Sequence, residues 1–231
     1  MSISPIAAMF DRISPKYDKL NHLLSLNIDR VWRRRTAKEA AKSHPRAILD
    51  LATGTADLAI LLARHNPQAN IIGIDISEKM LDIGKAKIAE RGLDAQIQLQ
   101  LGDASSLPFE DNCFDVVTVA FGVRNFEDWD KSLMEIHRVL KPKGRVFILE
   151  FSMPQRFPVK QAYRFYFKHI LPFIGNHISK DSHAYTYLPE SVERFPNPDV
   201  FLHLLSEKGL GNGTKRSLSF GIATLYQAEK Q

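Results

Sequence analysis

Gly54 lies in a run of small residues, Ala52-Thr53-Gly54-Thr55-Ala56, between the apolar stretch Ile48-Leu49-Asp50-Leu51 and Asp57-Leu58. A glycine at such a corner lets the backbone approach a ligand closely, because a Cβ there would collide with it. Asp75 ends a second apolar stretch about 20 residues further on, the spacing at which an acid accepts hydrogen bonds from ribose hydroxyls. Asp103-Ala104 ends a third stretch, where a carboxylate and a backbone N–H can meet an adenine edge. Together the three positions form a nucleoside-binding edge. The dinucleotide fingerprint wants three glycines where this turn has one, which argues against an NAD-dependent oxidoreductase.

For these residues to meet, each must stand at the carboxyl end of a strand in an open α/β sheet. Residues 46–52, 70–75, 96–101, 115–120 and 145–151 read as strands, and 57–65, 77–91 and 130–140 as the helices between them. Ser77 caps the second of these helices and Gly92 stops it. Alternation at this spacing implies right-handed βαβ units and a parallel sheet. Lys141-Pro142-Lys143-Gly144 reads as a type I turn with Pro142 first. Asn197-Pro198 opens a further helix that Gly209 ends. The strands at 215–220 and 222–228 have almost no linker and must be antiparallel.

Two segments lie outside this alternation. Residues 1–45 read as a helical N-terminal extension or lid. It carries an apolar stripe of Met9, Phe10, Ile13, Tyr17 and Leu20, then a basic amphipathic segment around Ile28, Val31, Trp32 and Arg33-Arg34-Arg35. Residues 152–190 read as a helical, aromatic and basic insertion on the substrate side. The whole chain, 1–231, reads as one domain.

The net charge of +5 and the pI near 9.3 suit an anionic ligand or surface, or simply a solvated exterior. Cys113 is the only cysteine, so neither an internal disulfide nor a cysteine-based zinc site can form, and no metal is expected. No apolar run reaches the length of a membrane span, and Asp11 and Asp18 interrupt what would be a signal peptide. The expected compartment is the cytoplasm, with peripheral membrane contact at most. Basic amphipathic helices lie on anionic bilayers, so Arg30, Arg33, Arg34 and Arg35 are candidates for such contact.

Several stretches carry a family resemblance. Met9-Phe10-Asp11-Arg12-Ile13-Ser14-Pro15-Lys16-Tyr17-Asp18, Asn21-His22-Leu23-Leu24-Ser25 and Asp29-Arg30-Val31-Trp32-Arg33 resemble the N-terminal signature of the ubiquinone/menaquinone biosynthesis C-methyltransferases, the UbiE/MenG type. Arg138-Val139-Leu140-Lys141-Pro142 through Leu149-Glu150-Phe151-Ser152 resembles the second signature. Phe121-Gly122-Val123-Arg124-Asn125 and Tyr185-Thr186-Tyr187-Leu188-Pro189-Glu190-Ser191 are similar to further pieces of the family. The resemblance covers nearly the whole chain. It implies a doubly wound, Rossmann-like class I methyltransferase fold with a seven-stranded mixed sheet, order 3-2-1-4-5-7-6, strand 7 antiparallel.

The resemblance also implies S-adenosyl-L-methionine as cofactor, contacted by Gly54, Thr55, Asp75, Asp103, Ala104 and the position of Ala120. Ala52 and Ala56 stand where many methyltransferases have glycine, so a slightly altered turn is expected. The implied reaction is C-methylation of a polyprenyl hydroquinone: demethylmenaquinol first, the benzoquinol precursor of ubiquinone as the alternative. A non-catalytic cofactor-sensing or assembly subunit is the alternative of another class. The implied partners are the quinol and a transient membrane surface, with no nucleic acid and with a homodimer left open. A quinol carbon becomes nucleophilic when a phenolic proton leaves, so the site needs something to steady a phenolate. Arg124, just after the fourth strand, is the candidate, with a structural salt bridge as its alternative. Tyr17, Asp18, Asn21, His22 and Tyr187 are candidate substrate or lid groups, with packing as the alternative for each.

Overall fold

The computed structural model describes residues 5–25, 27–166 and 182–231. Seven strands form one sheet in the order β3-β2-β1-β4-β5-β7-β6: β1 (Ala47–Leu51), β2 (Asn70–Asp75), β3 (Ile97–Leu101), β4 (Phe114–Ala120), β5 (Leu140–Phe151), β6 (Leu210–Leu218) and β7 (Ala223–Lys230). β1 to β5 pair in parallel, while β7 runs antiparallel to both β5 and β6. Helices α1 (Pro5–Leu24), α2 (Ile28–Ala41), α3 (Asp57–His65), α4 (Glu78–Ala89), α5 (Trp129–Val139), α6 (Val159–Phe165), α7 (Ser182–Arg194) and α8 (Pro198–Glu207) complete the described chain.

Successive strand residues point to opposite faces, and this divides the core in two. Ile48, Val116, Phe147 and Leu149 face the layer built on α2 and α3. Leu49, Val117, Val119, Val146 and Ile148 face the layer that holds Leu133 and Ile136 of α5 and Phe201 and Leu205 of α8. The sheet is therefore buried on both faces, which is why its central strands read as continuous apolar runs.

α1 runs through Pro15 without ending. A proline there cannot donate to the carbonyl of Asp11, four residues back. The hydroxyl of Ser14 donates to that carbonyl instead, at 3.1 Å. The helix continues to Leu24. Asn27 (φ 60°) then turns the chain into α2.

Around β5 and β6 the structure departs furthest from the sequence reading, for physical reasons. β6 starts at Leu210 rather than 215, because Gly211-Asn212-Gly213 lacks strand propensity but still lies along the sheet edge with a register shift. The tight connection to β7 is a single 3-10 turn, Ser219–Gly221. β5 starts at Leu140, which pairs with Phe114 before an irregularity absorbs the next residues.

Lys143 in that irregularity has φ 63°, so the segment is not the expected type I turn, whose third residue has negative φ. A non-glycine residue in the left-handed region costs about 1–2 kcal/mol, partly offset by the greater unfolded-state entropy of glycine. Lys143→Gly should therefore stabilise the protein by about 1 kcal/mol and raise the thermal midpoint by roughly 2–4 °C. A lowered midpoint in a melting curve would contradict this account of the turn.

Candidate active site

The carboxylate of Asp75, at the end of β2, joins two neighbouring turns. One oxygen accepts the N–H of Gly54 at 2.8 Å and the other accepts the N–H of Ser77 at 2.9 Å. Burial pushes the pKa of Asp75 up, and the hydrogen bonds from these N–H groups oppose the rise. Gly54 itself has φ 56°, with open space where a Cβ would stand. Ala52 (φ 49°) and Ala56 (φ 64°) adopt left-handed backbone as glycines would, so the turn keeps a glycine-like path at the expense of strain. On the far side, a Cβ on Gly122 would lie 2.3 Å from that of Ala52, so the turns after β1 and β4 touch back to back.

Above these turns lies a partly open cavity, at the sheet edge where α/β folds bind small molecules. Gly54, Asp75, Asp103, Ala104 and Ala120 all line it, so five of the residues assigned to the cofactor meet on one wall. Asp103 is set by an Asx turn, its carboxylate accepting the N–H of Ser105 at 2.8 Å. Ile6, Phe10 and Tyr17 of α1 roof the cavity. The Phe10 and Tyr17 rings meet edge to face with centroids 5.9 Å apart.

Thr55 does not line this cavity but lines a smaller pocket beside it. Its hydroxyl donates to Asp18 at 2.6 Å and accepts from Lys87 at 2.9 Å. Lys87 also pairs with Asp18 at 2.6 Å and with Asp57 at 2.7 Å. Asp18 therefore fastens α1 to the glycine turn and to α4, and it is not among the residues lining the cavity. A second fastening comes from Asp11, which accepts the hydroxyl of Ser77 at 2.6 Å. Asn21 and His22 belong to the last turn of α1, and their side chains lie outside the described residues.

A smaller pocket adjoins the cavity and shares Tyr17, Ala52, Gly54 and Ala120 with it. Its polar lining includes Asp50 and Arg33. Asp50 accepts hydroxyls from Thr118 at 2.5 Å and Thr53 at 2.7 Å, and burial still pushes its pKa up to about 6. Arg33 is buried, pairs with Asp29 and stacks over the Phe121 ring at 5.0 Å. It is thus withdrawn from the basic surface that the arginine run suggested. Asp50 stood in the sequence as the acid within the apolar stretch before the glycine turn, and Arg33 shares its helix face with Asp29, Ala37 and Ala40, all buried.

Arg124 does not occupy the place expected of it. Its guanidinium pairs with the fully buried Glu150 at 2.8 Å, donates to the carbonyl of Phe121 and to Ser191 Oγ (3.2 Å), and covers the Phe151 ring. It does not line the cavity. The reason is electrostatic: a carboxylate at the end of β5, out of water, needs a partner cation. The sequence alternative, a structural salt bridge, is what the geometry contains. Its neighbour Asn125 does line the cavity, and the amide oxygen accepts the phenol of Tyr187 at 2.9 Å. Tyr187 thus sits behind the wall as a positioning group, its pKa raised by burial.

The sequence matches the ubiE/COQ5 methyltransferase family over residues 3–230. It is 47% identical over 225 residues to a demethylmenaquinone methyltransferase of Bacteroides fragilis, covering 97% of this chain and 92% of that one. It is 46% identical over 226 residues to the ubiquinone/menaquinone biosynthesis C-methyltransferase UbiE of Geotalea daltonii, covering 97% and 96%. Among solved structures, a SAM dependent methyltransferase from Aquifex aeolicus superposes with a TM-score of 0.60 at 18% identity, over 80% of this chain and 82% of that one.

The Arg124–Glu150 pair yields a direct test. Removing one member of a buried pair costs about 3–5 kcal/mol, whereas replacing both with apolar groups is often neutral. Arg124→Ala should lower the thermal midpoint by about 10 °C, and Arg124→Met combined with Glu150→Leu should recover most of the loss. A fully stable Arg124→Ala protein with slow methyl transfer would return Arg124 to the chemistry.

Proposed function

Since the chain belongs to the ubiE/COQ5 methyltransferase family, we propose that it transfers a methyl group from S-adenosylmethionine to a ring carbon of a polyprenyl hydroquinone, demethylmenaquinol above all. The observation that carries the reading is the single cavity wall on which Gly54, Asp75, Asp103, Ala104 and Ala120 converge at the carboxyl ends of the strands. The donor set fits the cofactor. Backbone N–H groups already reach both oxygens of Asp75, and a carboxylate's acceptor sites leave room for a ribose hydroxyl as well. Asp103 and the N–H of Ala104 would meet the adenine. The adjoining pocket offers opposite charges, Arg33 for a carboxylate and Asp50 for an ammonium, which is what the amino-acid end of the cofactor carries.

The cofactor supplies an electrophilic methyl group on sulfonium sulfur. What remains for the protein is to align the acceptor carbon and to favour its phenolate form. Phe121, Gly122, Phe126 and Asn125 line the rest of the cavity. Tyr187 occupies the amide oxygen of Asn125, which leaves the NH₂ group as the donor available to an acceptor oxygen. Asn125 thereby takes over the part that the sequence reading gave to Arg124. The same reading places the enzyme in the cytoplasm, meeting a lipid acceptor at a membrane surface. Among the described residues no helix is long and apolar enough to cross a membrane.

Incubation with labelled S-adenosylmethionine and reduced quinol extracts, with mass identification of the product, tests the reaction. Methylated naphthoquinol supports the reading, and methylated benzoquinol alone would shift it to the ubiquinone precursor. Asn125→Ala should slow single-turnover transfer by about 10²-fold, the usual effect of removing one oxyanion donor, with cofactor affinity retained.

Asp50 adds a pH dependence. Its folded pKa, about 6, lies above its ordinary 3.8, so the ligand-free fold loses stability as pH rises between these values. An ammonium beside Asp50 favours its ionised form. Affinity for S-adenosylhomocysteine should therefore rise with pH through about 6, and Asp50→Asn should flatten that profile in a calorimetric titration. An unchanged profile would separate Asp50 from the cofactor.

A further inference from the structure

The turn between β6 and β7 sets an aromatic ring in water at a backbone cost. Phe220 is 83% exposed and has φ 60°, flanked by Ser219 (φ 44°) and Gly221 (φ 93°). An exposed phenylalanine gains nothing from burial, and a non-glycine residue at this φ is strained. Neither feature stabilises the isolated protein.

Two other segments meet this turn. The indole N–H of Trp32 donates to Ser219 Oγ at 3.0 Å, which brings the start of α2 alongside, with Val31 61% exposed and Arg30 and Arg34 on the surface. The hydroxyl of Ser152 donates to the carbonyl of Gly221 at 2.9 Å, and the space over Gly221 is bounded by Pro154. The chain after Pro154 carries the exposed Arg156 and Phe157, the latter 80% exposed. Residues 30–38, 152–166 and 215–223 contain no aspartate or glutamate, although they carry Arg30, Arg34, Arg156, Lys160 and Arg164. Three segments thus present apolar tips among cations at one end of the sheet.

The patch is one layer from the cavity. Phe121 lines the cavity, and its ring packs on Phe151 at 4.4 Å and on Trp32 at 6.1 Å. Trp32 in turn holds the turn that carries Phe220.

We propose that Phe220, Val31 and Phe157, with Arg30, Arg34 and Arg156, form a docking surface for a bilayer containing anionic lipid. Aromatic and aliphatic tips enter the headgroup boundary, while arginines meet lipid phosphates. Charge complementarity favours this occupant over an apolar protein partner, since a cationic rim around isolated apolar tips matches an anionic, deformable surface. The inference adds to the quinol reading the place where a lipid-borne acceptor arrives. It stands on the surface alone, so vesicle binding and methyl transfer can succeed or fail independently.

The test is cosedimentation of the full chain with vesicles of phosphatidylcholine and phosphatidylglycerol, and with phosphatidylcholine alone. Wild type should bind the anionic vesicles more tightly, and added salt should release it. Phe220→Gly relieves the strained backbone, so its thermal midpoint should hold or rise while vesicle affinity falls about tenfold. Arg30→Ser with Arg34→Ser should weaken anionic-vesicle binding and leave the phosphatidylcholine baseline unchanged. Methyl transfer to a short-chain soluble quinol should be unaffected by Phe220→Gly, whereas transfer to a long-chain quinol in vesicles should slow. Unchanged vesicle affinity in Phe220→Gly, or equal binding of wild type to both vesicle types, overturns the proposal. Absence of transfer to either quinol would count against the quinol reading and leave the vesicle result to decide the docking surface.

Discussion

The hydrogen bonds from Gly54 N–H and Ser77 N–H to one buried carboxylate, Asp75, set the geometry on which the site depends. They hold the turn after β1 against the turn after β2, so two loops behave as one wall. Ser77 extends the link. It caps α4 through the N–H of Met80 and donates to Asp11 of the roofing helix. A single side chain at a strand end thereby fixes the floor, a helix N-terminus and, through Ser77, one fastening of the roof. Burial opposes the charge that makes this possible, and the backbone donors offset that penalty only in part. On the proposed reading, a cofactor hydroxyl would add another donor to the ionised form. Ligand binding and the integrity of the wall are therefore linked through the same carboxylate.

The charges of this chain divide between those that build the wall and those that face into it. Glu150 and Arg124 neutralise one another behind Phe121 and Phe151. Arg33 and Asp29 do the same along α2, yet Arg33 also reaches the small pocket beside Asp50. A buried pair is weak evidence for stability in itself, because desolvation cancels much of the attraction. What such pairs do here is orient. Arg124 donates to the carbonyl of Phe121 and to Ser191 of α7, which places the segment after β4 and therefore Asn125.

The sheet was legible because its signals are local. β2 and α3 begin and end where apolar runs, Asn66-Pro67 and the small-residue turn say they should. Asp75 and Asp103 were legible because they end strands, and strand ends in an open sheet share an edge. The remainder depends on contacts that no window of sequence contains. Glu150 lies 26 residues from Arg124 and meets it only because β4 and β5 are neighbours. Which arginine of Arg33-Arg34-Arg35 turns inward depends on how α2 packs, and the left-handed backbone of Lys143 depends on the irregular pairing of β5.

α1 roofs the cavity with an apolar inner side and polar fastenings beside it. Its inner side is apolar, with Phe10 and Tyr17 seven residues apart and so on one helix face. The residues next to them, Asp11 and Asp18, carry the polar fastenings to Ser77, Thr55 and Lys87. The Asp18–Lys87 pair is partly exposed, at 27% and 19% for the two side chains. Such a pair contributes on the order of 1 kcal/mol or less, far below the stability of a domain core. The inner apolar contacts close over a cavity rather than over packed side chains, so they reach full value only when a ligand fills it. Its fastenings end on Thr55 and Ser77, beside the N–H groups that Asp75 binds, so roof and wall belong to one hydrogen-bond network.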